Sequence, residues 1–173
     1  MRTPRVRVVP YDDAWAAAFE RIKSEIEGAL GSLILRVEHV GSTSVFGMYA
    51  KPCIDIDAVI GDHSPFCEVV LALQGIGYIH EGDLGIPGRE AFGYTDKPYL
   101  MQHHLYVCRE SSEELARHIK FRDFLRCNKA AAERYSRIKR EAAERFPDDI
   151  DKYIQYKSPC IEELYAECGL IIR

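Results

Sequence analysis

Asp55 and Asp57 carry the most chemical potential in this 173-residue chain, because they sit inside the apolar segment Cys53-Ile54-Asp55-Ile56-Asp57-Ala58-Val59-Ile60. A short apolar run rich in Ile and Val reads as a strand, and residues two apart on a strand share a face at roughly 6–7 Å. Carboxylates on such a strand are costly unless they are paired, protonated or metal-bound. Two that converge make a site for a hard divalent cation; the alternative is a pair of acids facing solvent from an edge strand. Upstream, Val37-Glu38-His39-Val40 runs into Gly41-Ser42. A Gly-Ser turn can aim backbone N–H groups at a phosphate. It can equally be a plain turn, with Gly supplying positive φ and Ser a helix cap.

Further candidates follow from strand parity and charge. In the segment from Leu100 to Cys108, Leu105 and Val107 share one face, so His104 and Tyr106 share the other. If this strand neighbours the one bearing the acids, His104 is a third metal ligand or a general base; otherwise it makes a sheet-surface hydrogen bond. An Asp/Asp/His set suits manganese, iron or zinc better than magnesium. His39 reads as a hydrogen-bonded structural residue beside the Gly-Ser turn. Lys51, Arg89, Arg117, Arg122 and Lys157 are candidate phosphate binders against a background in which most of the 23 Lys and Arg are solvated surface charges. Arg122 has Asp123 as an alternative partner. Lys157 follows Tyr153 by one helical turn, so both can face one pocket.

The ordered motifs resemble the GrpB family, a branch of the nucleotidyltransferase superfamily. The matching residues are Glu38-His39-Val40-Gly41-Ser42-Thr43, Gly47, and Lys51-Pro52-Cys53-Ile54-Asp55-Ile56. Gly85-Ile86-Pro87-Gly88-Arg89, His103-His104-Leu105, Arg117-His118, Phe121-Arg122-Asp123, Tyr153 and Lys157 continue the match over nearly the whole chain. The resemblance implies an α/β (α+β) nucleotidyltransferase-like mixed sheet flanked by helices. It implies Gly41 and Ser42 holding a nucleoside triphosphate, and Asp55 and Asp57 holding a divalent metal, magnesium or manganese. The superfamily usually adds a third carboxylate on a neighbouring strand, and the segment around His104 has none. The family often has a second His where this chain has Tyr106. The resemblance also implies an alternative role: GrpB-like segments accompany some bacterial dephospho-CoA kinases as an accessory module, suggesting association with that kinase or a CoA-like ligand.

Helices and strands must position these groups. Trp15, Phe19, Ile22, Ile26 and Leu30 recur at helical spacing after Asp12-Asp13 and stop at Gly31. Ile34 to Val40 reads as a strand, and Ser64-Pro65 opens a helix over Phe66, Val69, Val70 and Leu73. Tyr78 to His80, Glu90 to Tyr94 and Leu100 to Cys108 read as strands, with a Gly-rich loop over 81–89 expected at the active site. Ser111 with Glu114 has capping-box spacing ahead of a helix reaching about Arg126. A second helix is expected from about Lys129 to Arg145, then two short ones over Ile150 to Tyr156 and Cys160 to Glu167. The plan is one domain over 1–173, with a sheet in the first two-thirds and a helical last third.

Composition bounds the functional classes. The chain is 47% apolar and 29% charged, ordinary for a globular protein. A net charge of −4 argues against a broad nucleic-acid surface but not against a local pocket for a small phosphate-containing ligand. No apolar run approaches the roughly 20 residues that span a bilayer, and the amino-terminal residues show no signal-peptide core. The six cysteines are scattered with no Cys-x-x-Cys, so the expectation is reduced thiols in a cytoplasmic protein. No Gly-x-Ser-x-Gly elbow points to a serine nucleophile.

Overall fold

The computed structural model describes residues 5–170. Five strands, β1 (Ile34–Val40), β2 (Ile54–Ile60), β3 (Tyr78–Gly82), β4 (Arg89–Tyr94) and β5 (His103–Arg109), form one sheet in the order β1-β2-β5-β4-β3. The central pair β2 and β5 is parallel, and the other neighbours are antiparallel. Five helices surround it: α1 (Ala14–Leu30), α2 (Phe66–Gly75), α3 (Glu113–Cys127), α4 (Lys129–Arg145) and α5 (Ile150–Glu167). The architecture is α/β, a mixed sheet flanked by helices with a helical last third.

Alternation along the strands decides what each face buries. Ile54, Ile56, Ala58 and Ile60 of β2, with Leu105 and Val107 of β5, pack against Trp15, Phe19, Ile22, Ile26 and Leu30 of α1 and Val69 and Leu73 of α2. The five α1 residues form one helical stripe, and Gly31 ends it at φ 51° with its N–H bonded to Glu27 O. The opposite face carries Asp55, Asp57, His104 and Tyr106, with Val59 and Cys108 packing on Leu115 of α3 beyond them. A smaller core of Val45, Met48, Leu125, Tyr135, Cys160 and Leu164 ties α3, α4 and α5 to the segment between β1 and β2. A cleft is left between that helical layer and the sheet.

Three local expectations are corrected. The α3 cap is Ser112 rather than Ser111: its Oγ accepts from Leu115 N at 3.3 Å and donates to Gly88 O at 2.6 Å. The two short helices expected after Ile150 are one helix, α5, with Pro159 inside it. Proline removes one ladder bond, and here Ser158 Oγ donates to Ile154 O at 2.9 Å in the adjoining turn, while Cys160 and Leu164 remain buried beyond it. β5 starts at His103, since Leu100 N–H is spent closing a turn onto Lys97 O. All six cysteines are free.

Candidate functional site

The site is built where β1 ends and where β2 and β5 begin. In the register, Val40 pairs with Asp55, Asp55 with His104, and Asp57 with Tyr106. Gly41 then leaves β1 at φ 68°, ψ −173°, a conformation open essentially only to glycine. A Cβ placed on Gly41 would stand 2.2 Å from Asp55 Oδ2, so the turn backbone lies directly against the acid. Ser42 opens a short 3-10 turn over Ser42–Ser44, fixed by Ser44 Oγ donating to Gly41 O at 2.6 Å. Ser42 is therefore a turn residue that faces the cleft.

The two acids live in different environments. Asp55 is half-buried and accepts from His104 Nδ1 at 3.1 Å. Asp57 is fully buried and accepts from His118 Nδ1 of α3 at 2.7 Å, while its Oδ1 has no partner. His118 in turn reaches Glu114 Oε1 through Nε2 at 3.1 Å, and Arg117 closes on Glu114 as well. Desolvation raises the Asp57 pKa despite the His118 bond. Burial pulls His118 down, but Asp57 and Glu114 overcome it and hold the imidazole up at about 9. Hydrogen bonds to Asp55 and Cys53 lift His104 to about 10. Both histidines are thus imidazolium cations at neutral pH, His104 set against Asp55 and His118 against Asp57 and Glu114.

His118 and Glu114 were not singled out from the sequence as site residues. Their i, i+4 spacing on α3 was the available signal. Among the described residues, no three His, Cys, Asp or Glu side chains stand together as a metal-holding group. His104 is the Asp55 counter-ion, and Asp57 lies beneath the cleft floor rather than on it.

The cleft itself has a volume of about 340 Å³ and is lined by Gly41, Ser42, Asp55, Arg89, Tyr106 and Lys157, among others. Arg89 lies over the Tyr106 ring at 4.1 Å, with its Nε buried and without a hydrogen-bond partner. Of the Gly-rich segment 81–89 only Arg89 lines this cleft. Arg122 also lines it but is committed: it donates to Glu38 Oε2 at 2.7 Å, His39 O at 3.2 Å and Asp123 Oδ1 at 2.8 Å. It fastens α3 to β1. Lys51 faces a second cavity that shares Ser42, Asp55 and Lys157 with the first. Arg117 is the Glu114 partner and does not line the cleft.

His39 supports the turn from behind. Its ring stacks on Phe19 at 4.6 Å and 10°, and its Nε2 meets Thr43 Oγ1 at 3.0 Å. Burial lowers its pKa to about 4. The unfolded chain therefore takes up the proton first as pH falls below 6.5, and stability declines until about pH 4, below which the difference is constant. His103, lowered by burial, acts in the same direction. Urea denaturation of wild type and His39→Gln should show the wild type losing about 2–3 kcal/mol more between pH 7 and 4. Parallel pH profiles would remove His39 from this role.

Comparisons with known proteins bear on the family and the fold. The family model described as "GrpB protein" matches residues 5–167. The chain is 30% identical over 158 residues to the UPF0157 protein YqkA of Bacillus subtilis, covering 91% of this chain and 46% of that one. It is 30% identical over 183 residues to a dephospho-CoA kinase of Mycolicibacterium paratuberculosis, covering 92% of this chain and 45% of the kinase. It spans about half the length of these two relatives. The crystal structure of conserved protein GrpB from Enterococcus faecalis superposes with a TM-score of 0.82 at 32% identity, over 94% of this chain and 96% of that one. The structure of Cid1 in complex with its short product ApU matches at TM-score 0.51 and 10% identity, over 75% of this chain and 40% of that one, a likeness of nucleotidyltransferase-like fold alone. No described helix is long and apolar enough to cross a membrane.

Proposed function

This chain belongs to the GrpB family, and from that premise we propose that it binds a nucleoside triphosphate in the cleft beside β2 and transfers its nucleotidyl group, with a divalent metal, to an acceptor bearing a hydroxyl or phosphate. The observation that supports this reading is the close approach of the Gly41 backbone to Asp55, with the Gly41-Ser42 turn and a carboxylate lining one cleft. The donor chemistry fits magnesium or manganese. Asp55 would offer an oxygen from the cleft wall, and Asp57, beneath the cleft floor, would offer its buried Oδ1, which has no partner among the described residues. Magnesium commonly takes only one or two protein carboxylates and fills its shell with water and phosphate oxygens, so a third protein ligand is not required. When bound, the metal would neutralise charge on the transferred phosphoryl group.

The chain's own residues do the rest. Gly41 and Ser42 hold the polyphosphate, and Arg89 and Lys157 add cationic contacts at the rim. Tyr106 offers a ring face already covered by Arg89. Arg122 keeps α3 against β1, so that His118 stays on Asp57.

A second reading, a non-catalytic binding or accessory module, is favoured by one specific observation: each acid already has an internal imidazolium partner. The dephospho-CoA kinase relative makes such a module associated with that kinase, or with a CoA-like ligand, its natural form. The separating experiment is pyrophosphate release from each nucleoside triphosphate with magnesium or manganese and a small-molecule cell extract as acceptor source. Transfer predicts release that falls on the order of 100-fold in Asp55→Ala. No release, with nucleotide or CoA binding that ignores chelator, favours the accessory module.

A further inference from the structure

Three lysines from three separate segments meet in the second cavity, which holds about 280 Å³. Lys51 comes from the segment before β2, Lys139 from α4 and Lys157 from α5. Lys139 is only 2% exposed, and its Nζ has no hydrogen-bond partner among the described residues. The face of the Tyr135 ring lies 4.4 Å from its Nζ. On α4 it occupies the stripe of Ala131, Tyr135 and Ala142, where helical periodicity alone asks for an apolar side chain. An ammonium kept there opposes folding of the empty protein, because a buried charge without a partner is heavily penalised. Burial, with repulsion from Lys157, holds the Lys139 pKa well below its usual value. Burial lowers Lys51 too, Lys157 adding to it against the opposing effect of Cys53. Asp55, already held by His104, is the one acid among the residues lining the cavity.

We propose that this cavity binds a phosphate dianion, with Lys51, Lys139 and Lys157 as its cationic contacts. Three converging lysine amines match the several acceptor oxygens of a terminal phosphate, and the dianion would supply the counter-charge that favours their protonated forms. The walls shared with the acid cleft, Ser42, Asp55 and Lys157, make the phosphate either the tail of the nucleotide or the anionic end of the acceptor. The inference rests on the phosphate part of the function proposed above and is independent of metal and of transfer.

The test is calorimetric titration with inorganic pyrophosphate in the presence of chelator, alongside thermal unfolding. Lys139→Met should weaken pyrophosphate binding by about 10-fold or more while raising the melting temperature, since an apolar side chain of similar length replaces a buried amine that lacks a hydrogen-bond partner. Lys157→Gln should weaken binding without that rise. A Lys139 of purely structural role would not give opposite signs in the two readouts. Unchanged pyrophosphate affinity in both variants overturns the proposal. Competition of pyrophosphate with a nucleoside triphosphate assigns the cavity to the nucleotide tail, and simultaneous binding assigns it to the acceptor. Loss of binding in Lys139→Met together with metal-nucleotide binding indifferent to Asp55→Asn keeps the phosphate cavity and discards the transfer reaction.

Discussion

Gly41→Ala should destabilise the protein by about 3 kcal/mol and abolish phosphate binding in the cleft, whereas Gly28→Ala should leave stability unchanged or raise it by up to about 1 kcal/mol. At position 41 two effects act together. The backbone sits at φ 68°, ψ −173°, where any side chain is strained. The added Cβ would also stand 2.2 Å from Asp55 Oδ2, 2.9 Å from its Cγ and 3.0 Å from its Cβ. The carboxylate would have to move, and with it the His104 bond. Gly28 lies within α1, and a Cβ there meets nothing within 4 Å, so alanine only improves helix propensity. Thermal melts should show a drop on the order of 6–12 °C for Gly41→Ala in a chain of this size. Similar melting temperatures for the two variants would mean that the turn yields easily and the Gly41–Asp55 contact positions nothing.

Asp57→Ala is expected to cost about 3 kcal/mol and Asp55→Ala less than about 1 kcal/mol, although the two acids sit two residues apart on one strand. Asp57 is fully buried, and its removal strands the His118 imidazolium with Glu114 alone and opens a cavity. Asp55 and His104 remain partly open to solvent, at 34% and 40% side-chain exposure, so water replaces the lost partner. Asp57→Asn should fall between the two, because the amide oxygen still accepts from His118. Urea denaturation of the three variants checks the order. Equal costs for Asp55→Ala and Asp57→Ala would show that the cation–acid pair under the cleft floor is not what joins α3 to the sheet.

Much of this was legible in the sequence, for physical reasons that differ by residue. The α1 stripe and the parity of β5 follow from helical and strand periods, and both sets of residues are where those periods put them. The Gly41–Asp55 juxtaposition was signalled by residue type and spacing. What the sequence could not show was which cation each acid would meet. His104 was readable as a neighbour because it shares a strand face, but His118 reaches Asp57 from a helix 61 residues away. Arg122 read as a phosphate contact with Asp123 as its alternative partner, and charge alone could not reveal that Glu38 holds it as well. Lys139 was not singled out from the sequence, and its meaning required the cavity that α5 and the segment before β2 complete. Proline normally breaks helices, so α5 read as two.

The bonds that close the site join residues 49, 61 and 84 positions apart: His104 to Asp55, His118 to Asp57 and Arg122 to Glu38. On the ribosome, β1 and β2 emerge with both acids before His104 and His118 exist, so the nascent strand carries two like charges without their native partners. Pairing at such separations pays its loop-closure entropy late, which slows folding and leaves the β2 edge uncovered meanwhile. The two acids would then act as gatekeepers for the nascent chain, since charge on an apolar strand discourages pairing with another copy. Translation pauses or dilution from denaturant should therefore expose a time window in which acid-neutralising conditions promote aggregation and neutral pH does not.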